Sequence, residues 1–153
     1  MSKLSSLLIE LQSAAEMELK AAGQEVAAKV IVNGDIAWDD RCGGYLYVRN
    51  AGAVGLGGDA TCITPFIAYT IYVGLLRCVT VFSGEEGEPP STDVLTEEAL
   101  EVIADSEAIY RAITCDIDWS AYDKNKRIVG WTALTPDGGF AGGEWQIEVR
   151  FIG

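Results

Sequence analysis

From Phe66 to Phe82 the sequence is apolar at odd and even positions alike, with Phe66, Ile67, Ala68, Tyr69, Ile71, Tyr72 and Val73 leading into Leu75, Leu76, Val79, Val81 and Phe82. Successive side chains of a strand point to opposite faces of a sheet, so each face of this one has to be covered by helix, by another sheet or by a neighbouring subunit. Arg77 and several Thr and Gly positions interrupt the run, which falls just short of the roughly 18–20 apolar residues of a membrane helix. It reads as a long buried strand. In a chain of 153 residues, the size of one domain, that pattern favours oligomerisation.

Composition supports a folded core. Apolar residues make up 49% of the chain, with four Trp, six Tyr and four Phe, which excludes intrinsic disorder despite a net charge of −12. The 23 acidic residues against 11 basic ones repel a phosphate backbone and disfavour nucleic-acid binding by surface electrostatics. An acidic channel that lets DNA pass without sticking stays compatible with this charge, as does acidity that simply maintains solubility. Glu10, Glu16 and Glu18 break the apolar pattern near the N-terminus, so the stretch lacks the core of a signal peptide and a cytoplasmic protein is expected. Cys42, Cys62, Cys78 and Cys115 form no C-x-x-C pair and histidine is absent, so a zinc site would need four scattered thiolates. Buried free thiols are expected, with a Cys42–Cys62 disulfide as the lesser alternative.

Leu4, Leu8, Leu11, Ala15 and Leu19 share one helical face, and Gly23 stands where a helix ends in the left-handed conformation. A strand is predicted over Val26–Val32 up to the turn Asn33-Gly34, then a loop over Trp38–Gly44 and a short strand over Tyr45–Arg49. Gly52, Gly55, Gly57 and Gly58 make Asn50–Ala60 a flexible or tightly turning loop, a candidate contact arm. The polar, turn-forming segment Ser83–Ser91 leads to a second helix, with Thr96 as N-cap, Leu95 and Leu100 as a hydrophobic staple, and an end near Thr114. Leu100, Ile103, Tyr110 and Ile113 are assigned to its inner face. Glu97, Glu101 and Asp105, at four-residue spacing, are assigned to a solvated acidic stripe on its outer face. Two strands close the chain, Arg127–Thr135 and Glu144–Ile152, joined by the turn Pro136-Asp137-Gly138-Gly139. In the second, Trp145, Ile147, Val149 and Phe151 alternate with Glu144, Gln146, Glu148 and Arg150, one face buried and one wet. The order α-β-β-β-α-β-β predicts an α+β fold, a mixed and mostly antiparallel sheet packed by two helices, as a single domain over residues 1–153.

No catalytic, cofactor-binding or metal-binding residue is assigned. Gly55-Leu-Gly57-Gly58-Asp-Ala60 looks like a dinucleotide fingerprint, but the helix that would hold the pyrophosphate is replaced by Thr61–Pro65 and a strand. Asp116-Ile-Asp118 opens like a calcium loop, yet Ala121 stands where glycine is needed and Arg127 where a bidentate glutamate is needed. Asp116 or Asp118 is therefore expected to cap a turn. Without histidine there is no Ser-His-Asp or Cys-His site. Asp39-Asp40 and Glu85-Glu86 are read as surface acids, leaving a small cytoplasmic ligand-binding domain or carboxylate-based enzyme as the alternative of another class.

Three segments carry a resemblance: Ala37–Arg49 (Trp38-Asp39-Asp40-Arg41-Cys42-Gly43-Gly44), Gly74–Cys78, and Gly130-Trp131 through Gly138-Gly139-Phe140-Ala141-Gly142-Gly143-Glu144-Trp145 to Phe151. They resemble small neck proteins of long-tailed actinobacterial phages, and the element order looks like the tail terminator of the lambda type. The resemblance implies a virion protein, made in the host cytoplasm, that forms a homohexameric ring. Such a ring caps the tube of major tail protein and joins it to the head-completion or stopper protein, with genomic DNA passing through the lumen without specific binding. It implies no cofactor and no membrane. Under it, Glu97, Glu101 and Asp105 become a candidate lumen lining, and Gly52, Gly55, Gly57 and Gly58 a candidate contact loop toward a neighbouring ring. A head-to-tail stopper or adaptor of the same neck is the alternative within the class.

Overall fold

Ser2 accepts a hydrogen bond from the Ser5 amide (3.1 Å) and so caps helix α1 (Lys3–Ala21). At its other end Gly23 takes φ 76°, and the Gly23 and Gln24 amides donate to the Lys20 and Leu19 carbonyls at 3.0 and 2.8 Å. Those two bonds are a Schellman motif, so the helix stops where the sequence predicts. The expected face is buried through Leu8, Leu11, Ala15 and Leu19, joined by Leu7 and Ala14. The computed structural model describes residues 1–36, 42–56, 66–79, 91–123, 125–137 and 139–152.

One five-stranded sheet runs in the order β1-β2-β3-β5-β4, built from β1 (Ala28–Asn33), β2 (Tyr45–Leu56), β3 (Phe66–Cys78), β4 (Lys126–Asp137) and β5 (Phe140–Ile152). β1 pairs with β2 in parallel, and the remaining pairings are antiparallel. Helix α2 (Thr92–Arg111) separates β3 from β4 in the chain, followed by a π turn (Ala112–Asp116) and a 3₁₀ turn (Trp119–Tyr122). The fold is α+β in the predicted order, with two helices and a mixed, mostly antiparallel sheet.

Register explains the core. Leu46 and Val48 stand opposite Leu75 and Val73, while Ile71 and Val73 stand opposite Ile147 and Trp145. This face meets Leu7, Leu11 and Leu19 of α1 and Ala108 and Ile109 of α2 in one apolar cluster. The far face of β3 is covered differently. A Cβ on Gly74 would lie 2.4 Å from the Tyr47 hydroxyl, so glycine makes room for the tyrosine to cross. Tyr47 and Leu76 are both buried there by the chain itself, and this half of the two-faced strand needs no neighbouring subunit.

Several expectations are corrected. β2 continues through the glycine-rich stretch to Leu56, with an irregularity between Asn50 and Gly52, so Gly52 and Gly55 pair with Thr70 and Ile67 and are not loop residues. Ladder bonds are made by backbone, so glycine weakens a strand without forbidding it. Gly57 and Gly58 lie outside the described residues, as do Cys62, the acids Asp39, Asp40, Glu85 and Glu86, and the end of the predicted third strand at Val81 and Phe82. α2 starts four residues before Thr96. Ser91 is its N-cap, accepting from the Val94 amide at 3.3 Å, and the Thr96 hydroxyl donates back to the Thr92 carbonyl at 2.8 Å. Leu95 and Leu100 therefore sit within the helix and form no staple. The helix ends at Arg111, and Ile113 is buried in the π turn as expected. Leu100, Ile103 and Tyr110 are not its inner face, because all three are exposed.

Cysteine chemistry differs too. Cys42 and Cys78 are joined in a disulfide that ties the approach to β2 to the end of β3, and Cys115 is an exposed free thiol. The pairing follows from tertiary placement, since the two Cα atoms come to 5.1 Å across a sequence separation of 36.

Candidate interaction surface

The orientation of α2 is set by one buried charge pair. Arg77 projects from β3 toward the helices, and its Nε and Nη2 donate to the two carboxylate oxygens of Asp105 at 2.7 and 2.8 Å. Asp105 is only 2% exposed. Burial pushes its carboxyl above the ordinary value, with the Arg77 bonds pulling the other way. Glu101 is half exposed and lies 3.5 Å from the same guanidinium. Two further contacts fix the helix: the Trp145 indole N–H donates to the Ser106 carbonyl at 2.8 Å, and the Tyr110 and Trp145 rings lie 4.9 Å apart.

The acidic stripe is thereby corrected. A helix advances about 100° per residue, so each four-residue step drifts by about 40°, and two such steps carry Asp105 from the outer face into the core. Glu97 remains exposed, Glu101 turns toward Arg77, and Asp105 is taken out of any solvent-lined surface. The outward half of α2 instead shows Leu95 (48% exposed), Leu100 (59%) and Ile103 (53%), among the exposed acids Asp93, Glu97 and Glu107. Beside them, Ala99, Val102 and Ile103 form an apolar groove with Trp131 and Leu134 of β4. Large apolar residues concentrated on an exposed helix face make it a candidate contact surface for protein or ligand.

A second polar cluster sits on the far side of the sheet. Glu144 of β5 accepts from the Tyr47 hydroxyl at 2.7 Å and from Arg49 Nε and Nη2 at 3.1 and 2.8 Å. The Arg49 guanidinium lies 4.0 Å from the centre of the Tyr72 ring. Burial pushes the Tyr47 hydroxyl well above its ordinary value, with the Glu144 carboxylate adding to it, and the bond to Glu144 raises Arg49. Three strands, β2, β3 and β5, are tied by this cluster. The alternation in β5 shows an acid at position 144 but not its burial, which depends on Tyr47 and Arg49 arriving from a strand 95 or more residues away.

Among the other residues singled out in the sequence, Asp118 caps the 3₁₀ turn, its carboxylate accepting from the Ser120 amide at 3.1 Å. Asp116 is exposed; partial burial and the adjacent Glu18 carboxyl raise it above the ordinary value. The Tyr122 hydroxyl donates to Glu10 of α1. No group of acids or thiols among the described residues is arranged to hold a metal ion, and no helix among them is long and apolar enough to cross a membrane. Compared with known proteins, the chain matches no family model and no curated sequence.

Proposed function

We propose that this chain is a structural ring protein of a phage neck, most closely of the tail terminator kind, acting by self-association and docking without turnover. The single observation that carries the self-association in this reading is the outward face of α2. There Leu95, Leu100 and Ile103 are exposed on a helix whose rotation is locked by Arg77 and Asp105. A locked helix cannot hide those side chains by turning, and covering them by another subunit recovers roughly 25 cal/mol for each Å² of apolar surface removed from water. The α-β-β-β-α-β-β order is compatible with the terminator, and a head-to-tail stopper or adaptor of the same neck is the alternative within the class. On this reading the chain acts in the virion, its partners are other copies of itself, the major tail protein and a head-completion or stopper protein, and its net charge of −12 keeps passing DNA from sticking.

Solution mass tests it. Light scattering and native mass spectrometry across a concentration series, then with tubes of major tail protein added, are expected to show a closed ring, either free or assembled on the tube end. A chain that stays monomeric and ignores tubes but binds head-completion protein is a stopper or adaptor instead. One that stays monomeric and ignores both is no neck protein.

A further inference from the structure

We propose that the ring contact is heterologous: the outward stripe of α2 in one copy seats on the basic end of the far sheet face in the next. This rests on the ring reading above and names the two surfaces that make it.

The basic end is where the chain leaves positive charge unspent. Lys3, Lys20, Lys29, Arg49, Arg77 and Arg111 each lie within 2.7 to 3.3 Å of an acid of the same chain. At the start of β4 and the end of β5 the pattern changes. Arg127 and Arg150 are exposed on the far face and border one cleft with Asn125 and Glu148; Lys126 also borders it, although in register it stands opposite Val149 on the helix-bearing face. Glu148 bonds Arg127 at 3.1 Å, and Lys126 lies over the Trp119 ring at 4.6 Å. Among the described residues no acid pairs with Arg150 or Lys126. In register Arg150 stands opposite Ala68, and Ala68 opposite Val54; Val54 and Phe66 are exposed on the same face. The patch is therefore basic and apolar at once.

α2 presents the complement. Asp93, Glu97, Leu100 and Glu107 follow one another at spacings of four, three and seven residues, which places them along one outward line of the helix. None of these three acids has a partner among the described residues, and Leu100 and Ile103 lie between and beside them. This patch is acidic and apolar. Opposite charge selects the partner and its register, while the apolar residues of both patches supply the area.

Geometry then dictates the mode. α2 packs on one face of the sheet and the Arg127–Arg150 cleft opens on the other, so the patches of one copy cannot meet each other. Because the two patches lie on opposite faces, one partner cannot engage both across a two-fold axis, so their pairing is head-to-tail and closes into a ring or runs on as a filament. An anion site for free phosphate or nucleic acid is the competing use of the cleft.

The test is a charge swap on the full chain. One variant carries Arg127→Glu and Arg150→Glu, the other Glu97→Lys and Glu107→Lys, all exposed positions outside the core. Circular dichroism and thermal melts check that each remains folded. Native mass spectrometry is expected to show that either variant alone is monomeric at concentrations where the unaltered chain is a ring. Mixed in equal amounts, they are expected to reassemble as an alternating ring of even number, because every contact again joins opposite charges. Raising salt is expected to weaken the unaltered ring. If folded variants form rings as well as the unaltered chain, this contact is wrong while the ring reading stands. If neither the unaltered chain nor the mixture assembles, alone or on tail tubes, both fail. If the variants stay dissociated when mixed, the cleft meets something other than α2, and this contact is overturned.

Discussion

Helices α1 and α2 are nearly equal in length, 19 and 20 residues, and each starts on a serine cap, yet they are used in opposite ways. α1 buries Leu7, Leu8, Leu11 and Leu19 on one face and leaves mostly polar side chains outside, with Ile9 and Met17 exposed among them. α2 buries Asp105, Ala108 and Ile109 and leaves Leu95, Leu100 and Ile103 outside. Apolar periodicity alone sets the rotation of a helix only when apolar residues occupy a single stripe. In α2 they occupy more than one, and a charge with a waiting counter-charge in β3 decides between them. One helix puts a full leucine stripe into the core. The other is half core and half exposed apolar surface.

The largest test of that contrast is Asp105→Ala, which leaves the buried Arg77 guanidinium with only the half-exposed Glu101 nearby and is expected to cost about 3–5 kcal/mol. Urea unfolding measures it, and a loss below about 1 kcal/mol would mean that the pair does not fix α2. Next comes Leu11→Ala in α1, expected to cost about 2–5 kcal/mol as a buried leucine deletion. Tyr122 links the helices from the side, donating to Glu10 of α1 from the turn after α2. Burial first and that bond second push its hydroxyl from 10.0 up to about 12. A raised folded value means the protonated form is favoured by the fold. Its contribution is thus whole below pH 10.0 and is lost as pH rises through about 12. Tyr122→Phe is expected to flatten the decline of stability across that window, and an unchanged slope in stepwise urea titrations contradicts it. The smallest effect belongs to Leu100→Ala, expected within about 0.5 kcal/mol for the dissociated chain. The same variant is expected to weaken self-association in a dilution series, so a core-sized stability loss would show that α2 is used as α1 is.

Local signals were legible in the sequence, and signals that depend on distant partners were not. Gly23 announced its own helix stop, Asp118 its own turn, and Trp145 to Phe151 their alternation, because each depends on residues a few positions away. Ser91 looks like the end of a turn-forming segment, because its capping role shows only once Thr92 is known to be helical. Gly52 and Gly55 look like loop residues until a long β3 offers backbone to pair with. Asp105 looks solvated until Arg77 is known to point at it, though an arginine inside so apolar a strand was the available hint that a buried acid exists elsewhere. Cys42 and Cys78 could not be matched before the sheet brought them together.

The margins of the sheet carry a consequence for bulk behaviour. β4 breaks register twice, between Ile128 and Gly130 and between Leu134 and Asp137, and β1 is six residues long with Lys29 exposed. Long, flat, uncharged margins let identical chains zip together through backbone hydrogen bonds into fibrils. These margins are short, kinked or charged. For a molecule proposed to crowd copies of itself around one axis, that separates finite association through side chains from open-ended stacking, and a concentrated solution is expected to stay fluid instead of setting to a gel.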